Sequence, residues 1–375
     1  MEDELRSRRE SGLHRRLRRV TGRGVRLRIG ERELLSFASN DYLDLAHDPR
    51  LAQAAARAAK KFGTGAGASP LICGYRTPQR KLERELAEWL HCESSLVFSS
   101  GFAANLAVIA ALAGREDAIF SDELNHASVI DGCRLSRANV QVYRHVDLNH
   151  LEDLLRRSTA RRRFIVTDTV FSMDGDLSPL AELIAFAEKF DCMLIIDEAH
   201  ATGVLGATGG GLLETIEPRY DPDRLVKIGT LSKALGCQGG FVCGTRQAID
   251  YLTNTARSFI FSTAIAPPIA AVAREAIGIA RTATDRRSHL QHLIHEWQPS
   301  HPTPIVPVII GDSSDTLRLS RELRRRGFFV PAVRPPTVPD GTARLRISFS
   351  AGHTIEDVRA LRLALEDARR SCERT

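Results

Sequence analysis

The chain has 375 residues, 43% of them hydrophobic and 26% charged, and a net charge of +6. This balance excludes a largely disordered or low-complexity chain and allows about two domains with a sizeable core. No stretch reaches the ~18 consecutive apolar residues of a membrane span, since FAANLAVIAALAG stops at Gly114 and TAIAPPIAAVAREAIGIA carries two prolines and two charges.

The N-terminal stretch MEDELRSRRESGLHRRLRRV has early acidic residues and no apolar centre, unlike a secretory signal, so a soluble, cytoplasmic protein is expected. Its arginines, dense from 6 to 28 with no lysine among them, hold much of the positive excess. They suit either a solvated helix face or contact with an acidic ligand. VRLRIGERELLSF then alternates apolar and polar residues about Gly30-Glu31, which predicts a hairpin. The helix LAQAAARAAKKF follows Pro49. A glycine-rich loop, GTGAGASPLICG (63–74), and a helix near 78–91 lead into short apolar runs alternating with helical patterns: SLVFSS, AIFSD, QVYRHV, RFIVTDTVFS, MLIIDEA, LVKIGTL and GFVCG. That alternation predicts a large α/β domain with a mainly parallel seven-stranded sheet.

Past STAIAPP (262–268) a long helical stretch reaches about Trp297. PIVPVII, a helix near 313–326, FFVPAV, ARLRISFS and a final helix then describe a smaller α+β C-terminal domain. The expected divisions are an N-terminal arm and hairpin at 1–48, the large domain at 49–265 and the small domain at 266–375. Seven cysteines, an odd number with no C-x-x-C pair, indicate reduced thiols; neither a disulfide framework nor a metal site is expected.

In open parallel sheets, ligands gather beyond the carboxyl ends of the strands. That rule singles out 99–102, 121–126, 167–172, 197–200 and 230–233. Lys233 in GTLSKALGCQGG would by itself read as a solvated loop lysine, but a carboxylate and an imidazole share its end of the sheet. Asp197-Glu198-Ala199-His200 spells the DEAH box of nucleic-acid helicases. A nucleotide motor also needs a phosphate loop of the form G-x-x-x-x-G-K-[ST]; none occurs, and Lys233 is followed by Ala234. Nucleic acid is therefore not expected as a partner. The glycines of 63–74 lack G-x-G-x-x-G spacing and follow a helix, which argues against a nicotinamide site. Pyridoxal phosphate (PLP) fits better. Its aldehyde needs a lysine amine, its ring nitrogen a carboxylate, and its phosphate the N–H groups of a helix start such as SSGFAAN.

Over nearly its full length the chain resembles the α-oxoamine synthases, a fold-type-I family of PLP enzymes. The matching segments are SNDYL (39–43), SSGFAAN (99–105), NHASVIDG (125–132), VFSMDGDLSPL (170–180), IIDEAHATGVLG (195–206), TLSKALGCQGG (230–240) and FSTAIAPP (261–268). The resemblance implies the type I PLP-dependent transferase fold and catalytic roles for three residues. Lys233 is implied as the Schiff-base lysine, Asp197 as the partner of the pyridine nitrogen, and His126 as the histidine stacked on the ring. It also implies His200 at the phenolic oxygen, Ser172 and Thr230 as further contacts, and Gly101 and Phe102 beside the phosphate. Thr263 is implied to reach a phosphate across the interface of a homodimer.

The reaction implied is a decarboxylative condensation of an amino acid with an acyl thioester, Lys233 removing the Cα proton. His126 could polarise the thioester carbonyl or steer a carboxylate. Arginine suits the amino acid's carboxylate because its fork binds two oxygens. Arg346 matches the family position, with Arg344 two residues away on the same strand face. VRPPTVPDGTARLRIS (333–348) is similar to the branch that condenses L-alanine with a pimeloyl thioester, carried by coenzyme A or an acyl carrier protein, in biotin synthesis. Thr337, Arg15 and Asn40 match substrate positions there. Relatives using glycine or serine share the cofactor residues. Two residues depart from the family: Asp44 stands where glycine is usual, and Pro70 stiffens a loop near the substrate entrance, which could shift acyl specificity.

Overall fold

The computed structural model describes residues 1–217 and 220–373. They form two compact units, one of 45–172 with 176–284, the other of 1–44 with 173–175 and the described residues from 285 onward.

Among the described residues, the larger unit is built on a seven-stranded sheet. Its spatial order is Ser94–Phe98, Gly240–Gly244, Leu225–Thr230, Cys192–Asp197, Arg163–Asp168, Ala118–Asp122, Asn139–Tyr143. These are the seven apolar runs read from the sequence. All run parallel except Gly240–Gly244, which is antiparallel to both neighbours. Ala118–Asp122 and Leu225–Thr230 are buried at every position, because a parallel sheet covered on both faces leaves no polar side to alternate with. The helix Gly101–Leu112 is apolar nearly all round and sits in the core through Ala104, Ala107, Val108, Ile109 and Leu112. The side chain of Ser100 caps it by accepting from the Ala103 N–H at 3.1 Å.

In the smaller unit, Arg26–Ile29 and Arg32–Ser36 form the expected hairpin. Phe328–Phe329 adds to it in parallel. Ile305–Gly311, Ala343–Ser348 and Ala332–Val333 make a separate antiparallel sheet. FFVPAV is thus divided between two sheets, broken near Pro331, which has no N–H to donate to a ladder.

The division of the chain differs from the expected one at both ends. The helical stretch to Trp297 is two helices, Pro267–Thr282 and Thr284–Trp297. The first packs on Pro49–Phe62 and Thr77–Trp89 and buries Ala270, Ala273 and Ala276, small residues that permit close helix approach. It therefore belongs to the larger unit, and the boundary falls at 284 and not at 265. The N-terminal arm and hairpin are no separate domain either, since strand pairing joins Arg32–Ser36 to Phe328–Phe329. Among the described residues, no helix is long and apolar enough to cross a membrane.

Candidate active site

The carboxyl ends of the parallel strands surround a cavity of about 240 Å³ lined by Gly101, Phe102, His126, Asp197, His200, Thr230 and Lys233, together with Ser100, Asn105, Ser128, Asp168, Ala199 and Ser232. Each element delivers its residue by ending there. Cys192–Asp197 ends on the buried Asp197. Its Oδ1 accepts from the Ala199 N–H at 2.8 Å and its Oδ2 from Asn105 Nδ2 at 2.6 Å, two donors that suit a carboxylate anion. The buried His200 follows in the turn.

Leu225–Thr230 ends on Thr230, whose Oγ1 lies 2.7 Å from Ser232 Oγ and donates to Gly239 O at 3.0 Å. The loop carrying Lys233 is closed by backbone bonds from Leu231 N to Gly239 O and from Gly236 N to Lys233 O. A lysine among small residues is thereby turned into the cavity wall. His126 caps the helix Ala127–Ser136. Its N–H donates to Asp168 Oδ2 at 2.8 Å, and its ring meets that of Phe102 edge-on at 6.3 Å.

Asp168 pairs directly with Asp197 on the neighbouring strand. Burial, and then the Asp197 charge, raise the Asp168 carboxyl well above its ordinary range. Asp168 is thus driven toward the neutral form.

Residues 32–365 match the aminotransferase class I and II family. The chain is 46% identical over 367 residues to an 8-amino-7-oxononanoate synthase of Anaeromyxobacter dehalogenans, covering 94% of this chain and 91% of that one. It is 46% identical over 380 residues to the 8-amino-7-oxononanoate synthase of Herminiimonas arsenicoxydans, with 97% and 98% covered. A solved serine palmitoyltransferase from S. paucimobilis, with a bound PLP–myriocin aldimine, superposes with a TM-score of 0.93 at 27% identity, over 100% of this chain and 98% of that one. The chain belongs to the α-oxoamine synthases.

PLP is the cofactor of such α-oxoamine synthases, and the cavity here fits it on three counts. An ammonium, an imidazole and a doubly hydrogen-bonded carboxylate share its wall. The first amides of Gly101–Leu112, which have no intrahelical acceptor, open at Gly101 and Phe102. A Cβ at position 101 would fill that corner, in ordinary contact with Thr230 Cβ at 3.4 Å, and glycine leaves the space open.

Two expected cofactor residues of this α-oxoamine synthase lie outside the cavity wall. Ser172 is half-buried, and Thr263 is exposed in the segment where the Ala264 N–H donates to Ala68 O at 3.0 Å. The four expected substrate residues belong to the smaller unit and form two pairs: Arg346 Nη2 with Asn40 Oδ1 at 3.3 Å, and Arg15 Nη2 with Thr337 Oγ1 at 3.2 Å. Arg346 Nη1 also donates to Ser348 Oγ at 2.6 Å. Arg344 is committed elsewhere, to the side chain of Asp174.

Sequence reading assigned no role to Asn105, Ser128 or Asp168. Asn105 had a signal, since it stands four residues after Gly101 on the same helix face. For Ser128 and Asp168 the decisive neighbour is distant in the chain.

Proposed function

We propose that this chain condenses L-alanine with a pimeloyl thioester, releasing CO2 and the free thiol, to give 8-amino-7-oxononanoate for biotin synthesis. The observation that carries this reading is the convergence of Lys233, Asp197, His126 and His200 on one cavity, in a chain 46% identical over nearly its whole length to 8-amino-7-oxononanoate synthases. PLP, when bound, supplies an aldehyde for the amine and an electron sink for charge developing at Cα.

The rest is the work of this chain's side chains. Lys233 Nζ would hold the cofactor at its aldehyde, and its amine is the base placed to take the proton from the alanine Cα. Asp197, held by hydrogen bonds from Asn105 and the Ala199 N–H, would keep a proton on the ring nitrogen. His200 would donate to the phenolic oxygen, Thr230 and Ser172 would make further contacts, and the helix start at Gly101 and Phe102 would receive the phosphate. His126 would pack against the ring face.

By their match to the family's positions, Arg346 and Asn40 are assigned the alanine carboxylate, and Arg15 and Thr337 the thioester. The donor is pimeloyl-CoA or pimeloyl-acyl carrier protein; the arginines of the N-terminal arm suit the anionic carrier in either form. The enzyme acts in the cytoplasm as a homodimer, Thr263 of each copy serving the other's phosphate.

The test is thiol release from pimeloyl-CoA by the PLP-loaded protein, offered L-alanine, glycine or L-serine in turn, with product mass recorded. Release with alanine, yielding the mass of 8-amino-7-oxononanoate, is expected. Release with glycine or serine alone would move the chain to another branch of the family.

A further inference from the structure

Around the cavity, consecutive hydrogen bonds join Asp197, Asn105, Ser128 and His126. Asn105 Nδ2 lies 2.6 Å from Asp197 Oδ2 and 2.9 Å from Ser128 Oγ. Ser128 Oγ lies 2.7 Å from His126 Nδ1, and the Ser128 backbone N–H donates to the same Nδ1 at 3.2 Å. Asn105 and Ser128 are both buried.

The donor inventory of these groups leaves one arrangement of protons. An ionised carboxylate only accepts, so the NH2 end of Asn105 must face Asp197, and its second hydrogen goes to Ser128 Oγ. The orientation is imposed despite a cost, because Asn105 Oδ1 is buried with no hydrogen-bond partner among the described residues. Ser128 Oγ, having accepted from Asn105, has its own hydrogen to give, and the atom at 2.7 Å is His126 Nδ1. A ring nitrogen that accepts carries no proton, so the imidazole proton sits on Nε2.

We infer that Asn105 and Ser128 are positioning residues that couple the charge of Asp197 to a single form of His126, the neutral tautomer protonated at Nε2. The inference rests on the reading of Asp197 and His126 given above and deepens it. His126 offers the substrate a hydrogen-bond donor at Nε2, an atom with no partner among the described residues. It is thereby a group for polarising a carbonyl or holding a carboxylate oxygen, and Lys233 is left as the base. The electrostatics agree: although the residue is exposed at the cavity mouth, loss of water around the ring lowers the affinity of His126 for a second proton. Asp197 opposes this, and Lys233 adds to it.

The experiment is long-range 1H–15N NMR of protein labelled with 15N-histidine, with and without PLP at neutral pH. The His126 signals are assigned by their loss in His126→Gln. The expected result is an unprotonated Nδ1 and a protonated Nε2 in the wild type. Ser128→Ala should move both nitrogens toward tautomer averaging, and Ser128→Thr, which restores the hydroxyl, should move them back. A proton on Nδ1, or on both nitrogens, in the wild type overturns the inference, and that reading needs no variant to fold. The spectrum is independent of turnover, so failure to condense alanine would refute the proposed reaction while leaving the tautomer result to stand by itself.

Discussion

His145 lies between two carboxylates, with Nδ1 2.9 Å from Asp122 and Nε2 2.7 Å from Asp176, and its ring is edge-on to Phe171 at 4.3 Å. Burial alone would lower its proton affinity, but the two hydrogen-bonded carboxylates prevail and push it up to about 10. A histidine whose pKa is raised by folding adds stability that is complete below its unfolded value, near 6.5, and disappears as pH rises through about 10. The stability gap between wild type and His145→Gln should therefore be full below about pH 6.5 and close progressively as pH rises from there to about 10, as read from urea unfolding at each pH. A gap of constant size would show that the pair of contacts contributes nothing through charge. The sequence held no hint of this cluster: Asp122, His145 and Asp176 come from three separate segments, and only the sheet brings them together. Lys233, Asp197 and His126 were legible because each stands at the end of an apolar run beside a recognisable motif.

The two helices that meet at the cavity, Gly101–Leu112 and Ala127–Ser136, approach closely because residue 132 has no side chain. A Cβ on Gly132 would stand 3.1 Å from Ile109 Cβ and 3.2 Å from Asn105 O, close enough that the neighbouring helix must give by a few tenths of an ångström. That spacing also sets the Asn105–Ser128 hydrogen bond. Overpacking of this kind costs about 1–3 kcal/mol, set against a helix-propensity gain of about 1 kcal/mol for alanine over glycine. Gly132→Ala is accordingly expected to lower stability or leave it flat, and to weaken PLP retention. Gly278, inside the helix Pro267–Thr282, has nothing within 4 Å of the same hypothetical atom. Gly278→Ala should stabilise by about 0.4–1 kcal/mol. Opposite signs in paired denaturant melts would support the packing argument, and equal gains would refute it. The seven strands were readable as apolar runs, yet their spatial order was not, since periodicity records which residues are buried and not which strand lies beside which.

At the scale of the whole molecule, the larger unit leaves Leu71, Ile72 and Phe261 exposed at 51%, 79% and 71%, on the adjoining segments Pro70–Gly74 and Arg257–Ile260 and the residue after it. Apolar side chains grouped in this way mark a surface that another chain covers. The segment that follows carries Thr263, the residue proposed to serve a second copy. On the proposed homodimer, Ile72→Glu with Phe261→Glu should give a species of about half the wild-type mass in sedimentation equilibrium; an unchanged mass would overturn this surface as the contact between copies. Sequence alone determined the family, the mainly parallel α/β character and the chemistry-bearing residues at the strand ends, because burial periodicity and short motifs are properties of neighbours along the chain. Tertiary structure decided where the two units divide, which carboxyl burial drives toward its neutral form, and which partners Asp197 and the His126 ring meet. Each of these depends on distances between residues far apart in the chain, such as the 2.6 Å between Asn105 and Asp197, and no pattern along the sequence encodes them.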